Sequence, residues 1–184
     1  MASLRSFSDA CPFKLPNYGR LSAMDRSSKY EFREDPAATA IVESAVYLIK
    51  LILRDGAEIL PKHRREVLSV ALWKITEAES QHKHRTRFCS QAVFSSTDCE
   101  CRHDHVFQKQ KMIDDLIKAG PDAVDEIVGR AIGCTVTTDE HLALNQYQHL
   151  DGWERYRQAG ITVIDARTGD VFNGTESQTS EGIQ

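Results

Sequence analysis

The sequence predicts an α+β domain that is mostly helical, with a helical hairpin and a small antiparallel sheet near its densest cluster of reactive residues. Apolar residues recur at helical spacing in the first half of the chain, and short β-branched runs appear in the second half. The 184 residues are 41% hydrophobic and 27% charged, which suits one domain with a real core. We expect that domain over residues 35–172, with a flexible N-terminal arm at 1–34 and a disordered tail at 173–184.

Two helices are predicted to pack as an antiparallel hairpin. Asp35 and Pro36 are typical of a helix start, and Asp55 followed by Gly56 is typical of a helix end. Between these signals, apolar side chains recur at helical spacing. Pro61 predicts the start of the second helix, whose apolar residues also fall on one face.

Shorter signals predict the rest of the chain. Residues 79–101 break the helical pattern, and the apolar run at 92–94 fits either a strand or a loop. Thr137 and Glu140 have the spacing of a capping box, which predicts another helix start. The remaining predicted elements are helices over 106–119, 124–131 (ended by Gly133) and 153–158, and strands over 134–136, 161–165 and 170–172.

The densest chemistry lies in a single stretch, residues 98–105. It holds four residues of metal-binding types and three carboxylates: Cys99, Cys101, His103, His105, Asp98, Glu100 and Asp104. These residue types bind transition metals and move protons. In an extended strand side chains alternate between faces, so the cysteines and histidines would share one face and the carboxylates the other. We therefore expect a metal or a reaction at this stretch.

A second block, residues 134–144, completes a pattern with Asp104-His105-Val106. One strand ends in Asp-His, and a later strand runs into a helix whose first turn carries His141. This pattern resembles the HNH, or ββα-metal, nucleases. The resemblance implies that Asp104 and His141 bind one divalent ion and that His105 is the general base. Apart from the resemblance, His103 is a candidate for an additional ligand.

Two features of this chain differ from the pattern of that family. A long segment that is predicted to contain two helices separates the two halves of the pattern. The residue that orients the base in the family, an Asn, has no clear counterpart, because Asn145 comes too late in the chain. A degenerate nuclease that binds nucleic acid without cutting it therefore stays an alternative.

The cysteines allow a structural zinc site as well. Cys99 and Cys101 could share an ion with Cys89 from the preceding segment, although alternating residues on a straight strand cannot all reach one ion. The five cysteines of the chain lack the spacing of a disulfide framework, so free thiols or metal ligands are expected. The alternative is a polar surface strand with half-buried cysteines.

A basic segment precedes the reactive stretch. Residues 62–87 hold seven Lys or Arg and three Glu, a balance of +4 in a chain whose net charge is −4. A phosphate backbone would be attracted to such a segment, and Arg85, Arg87 and Arg102 are candidates to bind phosphates. The alternative is a solvated helix end and loop.

These observations predict a metal-dependent endonuclease, or a nucleic-acid-binding protein, whose partner is DNA or RNA and whose cofactor is Mg or Mn, with Zn as an alternative. The N-terminus has no signal pattern and no apolar run reaches membrane length, so we expect a cytoplasmic protein without a membrane partner. The alternative function is a non-enzymatic adaptor or inhibitor that binds a protein partner and holds a structural zinc ion or none.

Overall fold

The computed structural model describes residues 30–174. Most of the predicted arm and nearly all of the predicted tail therefore lie outside the described residues. The described part combines helices with a five-stranded sheet and confirms the predicted α+β class.

The described helices are α1 (Ala38–Asp55), α2 (Pro61–Glu77), α3 (Gln91–Ser95), α4 (Lys109–Ala119), α5 (Val124–Val128), α6 (Thr138–Leu144) and α7 (Trp153–Gln158). Short 3₁₀ helices occupy Gly56–Glu58, Pro121–Ala123 and Asn145–Tyr147. The strands are β1 (Phe88–Ser90), β2 (Cys101–His105), β3 (Gly133–Thr137), β4 (Val163–Asp165) and β5 (Asp170–Phe172). No helix within residues 30–174 is both long and apolar enough to cross a membrane.

The sheet is mixed, whereas the sequence predicted an antiparallel one. Its strand order is β2-β3-β1-β4-β5, so β2 and β5 are the edge strands. β1 is parallel to β3, and every other neighbouring pair is antiparallel. The expectation fails because β1, a strand of three fully buried residues, has no alternating pattern that would reveal it. The apolar run that follows is helix α3 and not a strand or loop.

The predicted helical hairpin is present in the form of α1 and α2, which share a core with α4 and α5. The Asp35 carboxylate accepts the backbone N–H of Ala37 at 2.8 Å just before α1 begins. Pro61 is the first residue of α2, where its missing N–H costs no helix hydrogen bond. Pro61 therefore starts its helix as predicted, whereas α1 begins two residues after Pro36 and has Ala37, not Asp35, as its N-cap.

The second half of the domain confirms its predicted elements more closely. Helix α7 has the predicted bounds, and β4 and β5 form the predicted hairpin. Thr137 and Glu140 form both hydrogen bonds of the capping box that starts α6. Helices α6 and α7 contribute Leu144 and Tyr156 to a core on one face of the sheet.

The end of the predicted N-terminal arm belongs to the domain. Tyr30 is buried, and its hydroxyl donates a hydrogen bond to the Thr86 carbonyl at 2.7 Å. Glu34 forms an isolated antiparallel bridge with Ser80. The ordered domain therefore starts at least five residues earlier than composition suggested, because a single buried aromatic anchors this segment.

Gly133 is the first residue of β3, whereas the sequence predicted it as the end of a helix; that helix, α5, already ends at Val128. A Cβ atom here would lie 2.6 Å from the His103 ring carbon Cε1 and 2.7 Å from the Thr76 carbonyl oxygen. Glycine is required at this point because helix α2 and strand β2 both approach the backbone closely.

Candidate functional site

The unit β2-β3-α6 places the two predicted metal ligands side by side. Asp104 lies on β2 directly opposite Cys134 of β3, and β3 leads without a loop into α6. His141 is the fourth of the seven residues of that helix, directly after its first-turn residue Glu140. As a result, the distance from His141 Nε2 to Asp104 Oδ1 is 3.6 Å. Helices α4 and α5 lie in the connection between the two strands and leave this arrangement intact.

The second oxygen of the Asp104 carboxylate is held by helix α7. Arg155 donates a hydrogen bond to Asp104 Oδ2 at 2.8 Å, and the Tyr156 hydroxyl donates another at 2.6 Å. All three side chains are buried. A buried carboxylate survives only with opposite charge and hydrogen bonds, and this carboxylate has both. Burial, and secondarily the neighbouring Cys134 and Asp104, raises the pKa of Tyr156 well above its usual range, so it stays a donor.

The start of α6 is fixed to the centre of the sheet by Glu140. Its carboxylate accepts a hydrogen bond from the Ser90 hydroxyl at 2.6 Å and one from the Thr137 backbone N–H at 2.9 Å. Ser90 is the last residue of β1 and fully buried. These contacts hold the first turn of α6, and with it His141, against the strands.

His103 and His105 lie on the opposite face of β2, where they pack against Trp73 of α2. Both imidazole centroids are 5.1 Å from the indole centroid, and they lie 5.3 Å from each other. His103 Nε2 is 3.1 Å from the Thr76 hydroxyl. His105 Nδ1 and Nε2 are both buried, and neither has a hydrogen-bond partner within the described part of the chain.

This face favours neutral imidazoles. Burial is the largest cause of both shifts. The pKa of His103 falls to about 4 although Glu77 opposes the shift, and the pKa of His105 falls to about 3. Lys109 is among the charges that lower both values. A neutral imidazole is the form a general base needs, but buried nitrogens do not reach a water molecule in this conformation.

The structure therefore brings together Asp104 and His141 but not His103 or His105. The reason is strand alternation: Asp104 points to the face covered by α6 and α7, and its neighbours in sequence point to the face covered by α2. The resemblance treated Asp104 and His105 as one centre. The role of His105 as base stays a prediction.

The predicted zinc ligands are only partly together. Cys99 Sγ and Cys101 Sγ are 2.9 Å apart, and Cys89 is buried in the same apolar cluster. Among residues 30–174, no group of three or more Cys, His, Asp or Glu side chains has an arrangement that could hold a metal ion.

The predicted phosphate-binding arginines do not form one surface. Arg87 donates two hydrogen bonds to Asp165, at 2.9 and 2.6 Å. Arg102 pairs with Glu100, and the Arg85 guanidinium lies 5.3 Å from the Tyr30 ring centroid. Two lysines lie near Trp73 instead: Lys83 Nζ and Lys109 Nζ are 5.6 and 5.0 Å from the Trp73 ring centroid.

Sequence reasoning missed four residues of this region: Trp73, Lys109, Arg155 and Tyr156. Arg155 and Tyr156 come 51 and 52 residues after Asp104, and no local pattern connects them. Tyr156 also belongs to the apolar core on this face of the sheet. Comparison of the chain with protein-family models, curated proteins and solved structures found no match.

Proposed function

We propose that this protein hydrolyses phosphodiester bonds of a nucleic acid with a divalent ion bound by Asp104 and His141. The observation that carries the proposal is the 3.6 Å distance between Asp104 Oδ1 and His141 Nε2 at the junction of β2, β3 and α6. Two antiparallel strands followed by a helix that carries a histidine are the elements that the resemblance to the ββα-metal nucleases requires.

The two side chains fit a metal ion better than they fit each other. A separation of 3.6 Å is too long for a hydrogen bond. Two ligands that each lie about 2.1 Å from one ion are separated by about 3 to 4 Å. Carboxylate oxygen and imidazole nitrogen suit Mn, Zn and, for the oxygen, Mg. With two protein ligands, coordination positions stay open for water and substrate, as in catalytic sites.

The surrounding residues would orient the ligands. Arg155 and Tyr156 hold Asp104 Oδ2 and so direct Oδ1 toward His141. Glu140 fixes the helix turn that carries His141. A bound divalent ion would stabilise the charge that develops on the phosphate and lower the pKa of a coordinated water. The proposal does not assign the base to His105, since its nitrogens are buried on the other face.

The lysine pair supports a polyanionic substrate. Neither Lys83 nor Lys109 forms an ion pair within residues 30–174, and both ammonium groups approach the half-buried Trp73 ring. Burial lowers the pKa of Lys109. Unpaired lysines beside an aromatic ring are typical of single-stranded nucleic-acid surfaces, where bases stack and phosphates meet the cations. In the sheet of the described residues β2 is an edge strand, so a single strand separates the Trp73 side from the His141 side.

The decisive experiment measures cleavage of supercoiled plasmid and single-stranded RNA with Mg, Mn or EDTA. The wild-type protein should cleave at least one substrate with a metal and none in EDTA. His141→Ala should lower the rate by about a hundredfold or more, since it removes a ligand. His149→Ala, at an exposed histidine eight positions later, is the matched control and should leave the rate unchanged.

Binding is measured separately, with oligonucleotides in EDTA and tryptophan fluorescence as the signal. The chain has two tryptophans, so loss of the signal in Trp73→Phe would locate the contact at Trp73. No cleavage under any condition, or cleavage that survives His141→Ala, would refute the proposed hydrolysis. Including His105→Ala decides whether that residue takes part as a base.

A further inference from the structure

The cysteine pair at the start of β2 is not used by the proposed reaction. Cys99 Sγ and Cys101 Sγ are 2.9 Å apart, a short approach for two thiols. A disulfide bond is about 2.05 Å long, so bonding requires the two sulfurs to approach by about 1 Å, through rotation of the two side chains and of the Glu100 peptide between them. Both residues are half-buried, and neither is bridged to another cysteine.

The two thiols differ in their surroundings. Cys101 belongs to β2 and packs with Cys99 against an apolar cluster that includes Tyr30, Cys89 and Val93. Burial is the largest cause that raises the pKa of Cys101 to about 12, and the hydrogen bond with Cys99 adds to it. The Cys101 thiol also donates a hydrogen bond to the Cys99 carbonyl oxygen at 3.4 Å and lies within β2, whereas Cys99 precedes the strand. We therefore assign Cys99 as the attacking sulfur.

We propose that Cys99 and Cys101 are a redox site that forms a reversible intramolecular disulfide by exchange with a low-molecular-weight disulfide such as glutathione disulfide. The Cys99 thiolate attacks one sulfur of the oxidant, the oxidant's S–S bond breaks, and one glutathione thiolate leaves. Cys101 then loses its proton to that base or to water and attacks the Cys99 sulfur, which releases the second glutathione. The protein thiols lose two electrons and the oxidant gains two.

The same pair is connected to the start of α6. Glu100 lies between the two cysteines, and its carbonyl accepts the Thr138 backbone N–H at 3.0 Å and the Thr138 hydroxyl at 3.2 Å. Cys101 is paired across the ladder with Thr137, the residue that caps α6. Closing the disulfide would rotate the Glu100 peptide and weaken these contacts, so oxidation should loosen the helix that carries His141. Only the consequence for the metal centre rests on the proposed function.

The test equilibrates the protein with glutathione buffers of increasing oxidised fraction, in EDTA, and then alkylates the remaining thiols. Trypsin releases residues 88–102 as one peptide, and Cys89→Ala leaves Cys99 and Cys101 as its two cysteines. Mass spectrometry should find both thiols protected, with no glutathione attached, and fully recovered after reduction. Two thiols that stay free at every ratio, or that are protected by bound zinc, would overturn the proposal.

The single variants test which sulfur attacks. Cys101→Ser should accumulate a mixed disulfide with glutathione at Cys99, because no second thiol releases it. Cys99→Ser should react at Cys101 at least about tenfold more slowly, because the thiolate is the nucleophile. Equal rates would overturn the assigned order.

Amide hydrogen exchange tests the connection to α6 without any activity measurement. Oxidised protein should exchange faster over residues 138–144 than reduced protein, and Cys99→Ser under the same buffers should show no difference. A disulfide that forms without this change would refute the link to α6. Because the readouts are thiol mass and exchange, their failure is separate from a failure of the proposed hydrolysis.

Discussion

The buried polar groups on the two faces of strand β2 differ in their hydrogen bonding. On one face the Asp104 carboxylate accepts hydrogen bonds from Arg155 and Tyr156 and faces His141. On the other face His105 has two buried nitrogens without a partner among the described residues, and it packs against aromatic rings. One strand therefore holds a stabilised charge on one side and desolvated neutral imidazoles on the other.

This difference makes the Asp104 face of β2 the better candidate for the proposed metal site. Under the proposed function, a metal ion would reach the buried Asp104 carboxylate from the side of His141, whose side chain is 37% exposed. A dense run of ligand-type residues in sequence is not a site by itself, because alternate residues of a strand are separated by the backbone. Substitutions on one face of β2 at a time, and a change of pH, test this difference between the faces.

The largest effect is expected from Arg155→Met. The substitution leaves the Asp104 charge buried without its cation, which should lower the free energy of unfolding by about 3 to 5 kcal/mol. Urea denaturation followed by circular dichroism measures it. Arg157→Met is the control: its side chain is 65% exposed and pairs with Glu154, so the loss should stay below about 1 kcal/mol. Similar losses in the two variants would show that Asp104 does not depend on Arg155.

The histidine face should make stability depend on pH. The folded-state pKa values of His103 and His105, about 4 and 3, lie below the unfolded value. As pH falls, the unfolded chain binds protons first, so stability is complete above about pH 6.5 and is lost as pH falls toward the folded values.

The expected loss is on the order of 3 kcal/mol for each of the two imidazoles between about pH 7 and pH 4, for the metal-free protein in EDTA. His103→Asn/His105→Phe is the comparison, because it removes both titrating groups. If the double variant loses as much stability on acidification as the wild type, other groups cause the loss.

The sequence predicted the elements that depend on local signals. Asp35, Pro61 and the capping box of Thr137 with Glu140 mark helix starts because each satisfies or spares backbone groups within a few residues. Strand β1 escaped prediction because its three residues are all buried and its parallel partner β3 is about 45 residues away in the chain.

The candidate site was predictable only in part, because some of its contacts join residues that are far apart in the chain. The resemblance identified Asp104 and His141, and the fold places them together. It could not reveal that Arg155 and Tyr156 hold the carboxylate, because long-range hydrogen bonds leave no periodic pattern. The alternation rule did separate His103 and His105 from Asp104, and the structure follows that rule rather than the nuclease pattern that joins Asp104 with His105.

Gly133→Ala, next to His103, should cause an intermediate loss of folding stability. The added Cβ would lie 2.6 Å from the His103 ring and 2.7 Å from a backbone oxygen of α2 that cannot move alone. Overpacking of this kind costs about 1 to 3 kcal/mol. Gly56→Ala is the control, since its Cβ would meet the flexible Arg64 side chain at 3.3 Å. Thermal unfolding of both variants measures the difference, and equal melting temperatures would contradict the close approach.

The smallest effects come from a matched pair of substitutions, one on each face. Tyr156→Phe removes a hydrogen bond to the buried Asp104 carboxylate and should cost about 1 to 3 kcal/mol. His105→Phe replaces two nitrogens without partners by an apolar ring beside Trp73, so stability should stay within about 1 kcal/mol of the wild type or rise above it. Urea denaturation at neutral pH in EDTA compares them. A larger loss in His105→Phe than in Tyr156→Phe would mean that His105 makes a polar contact on that face, and would reverse the contrast between the two faces of β2.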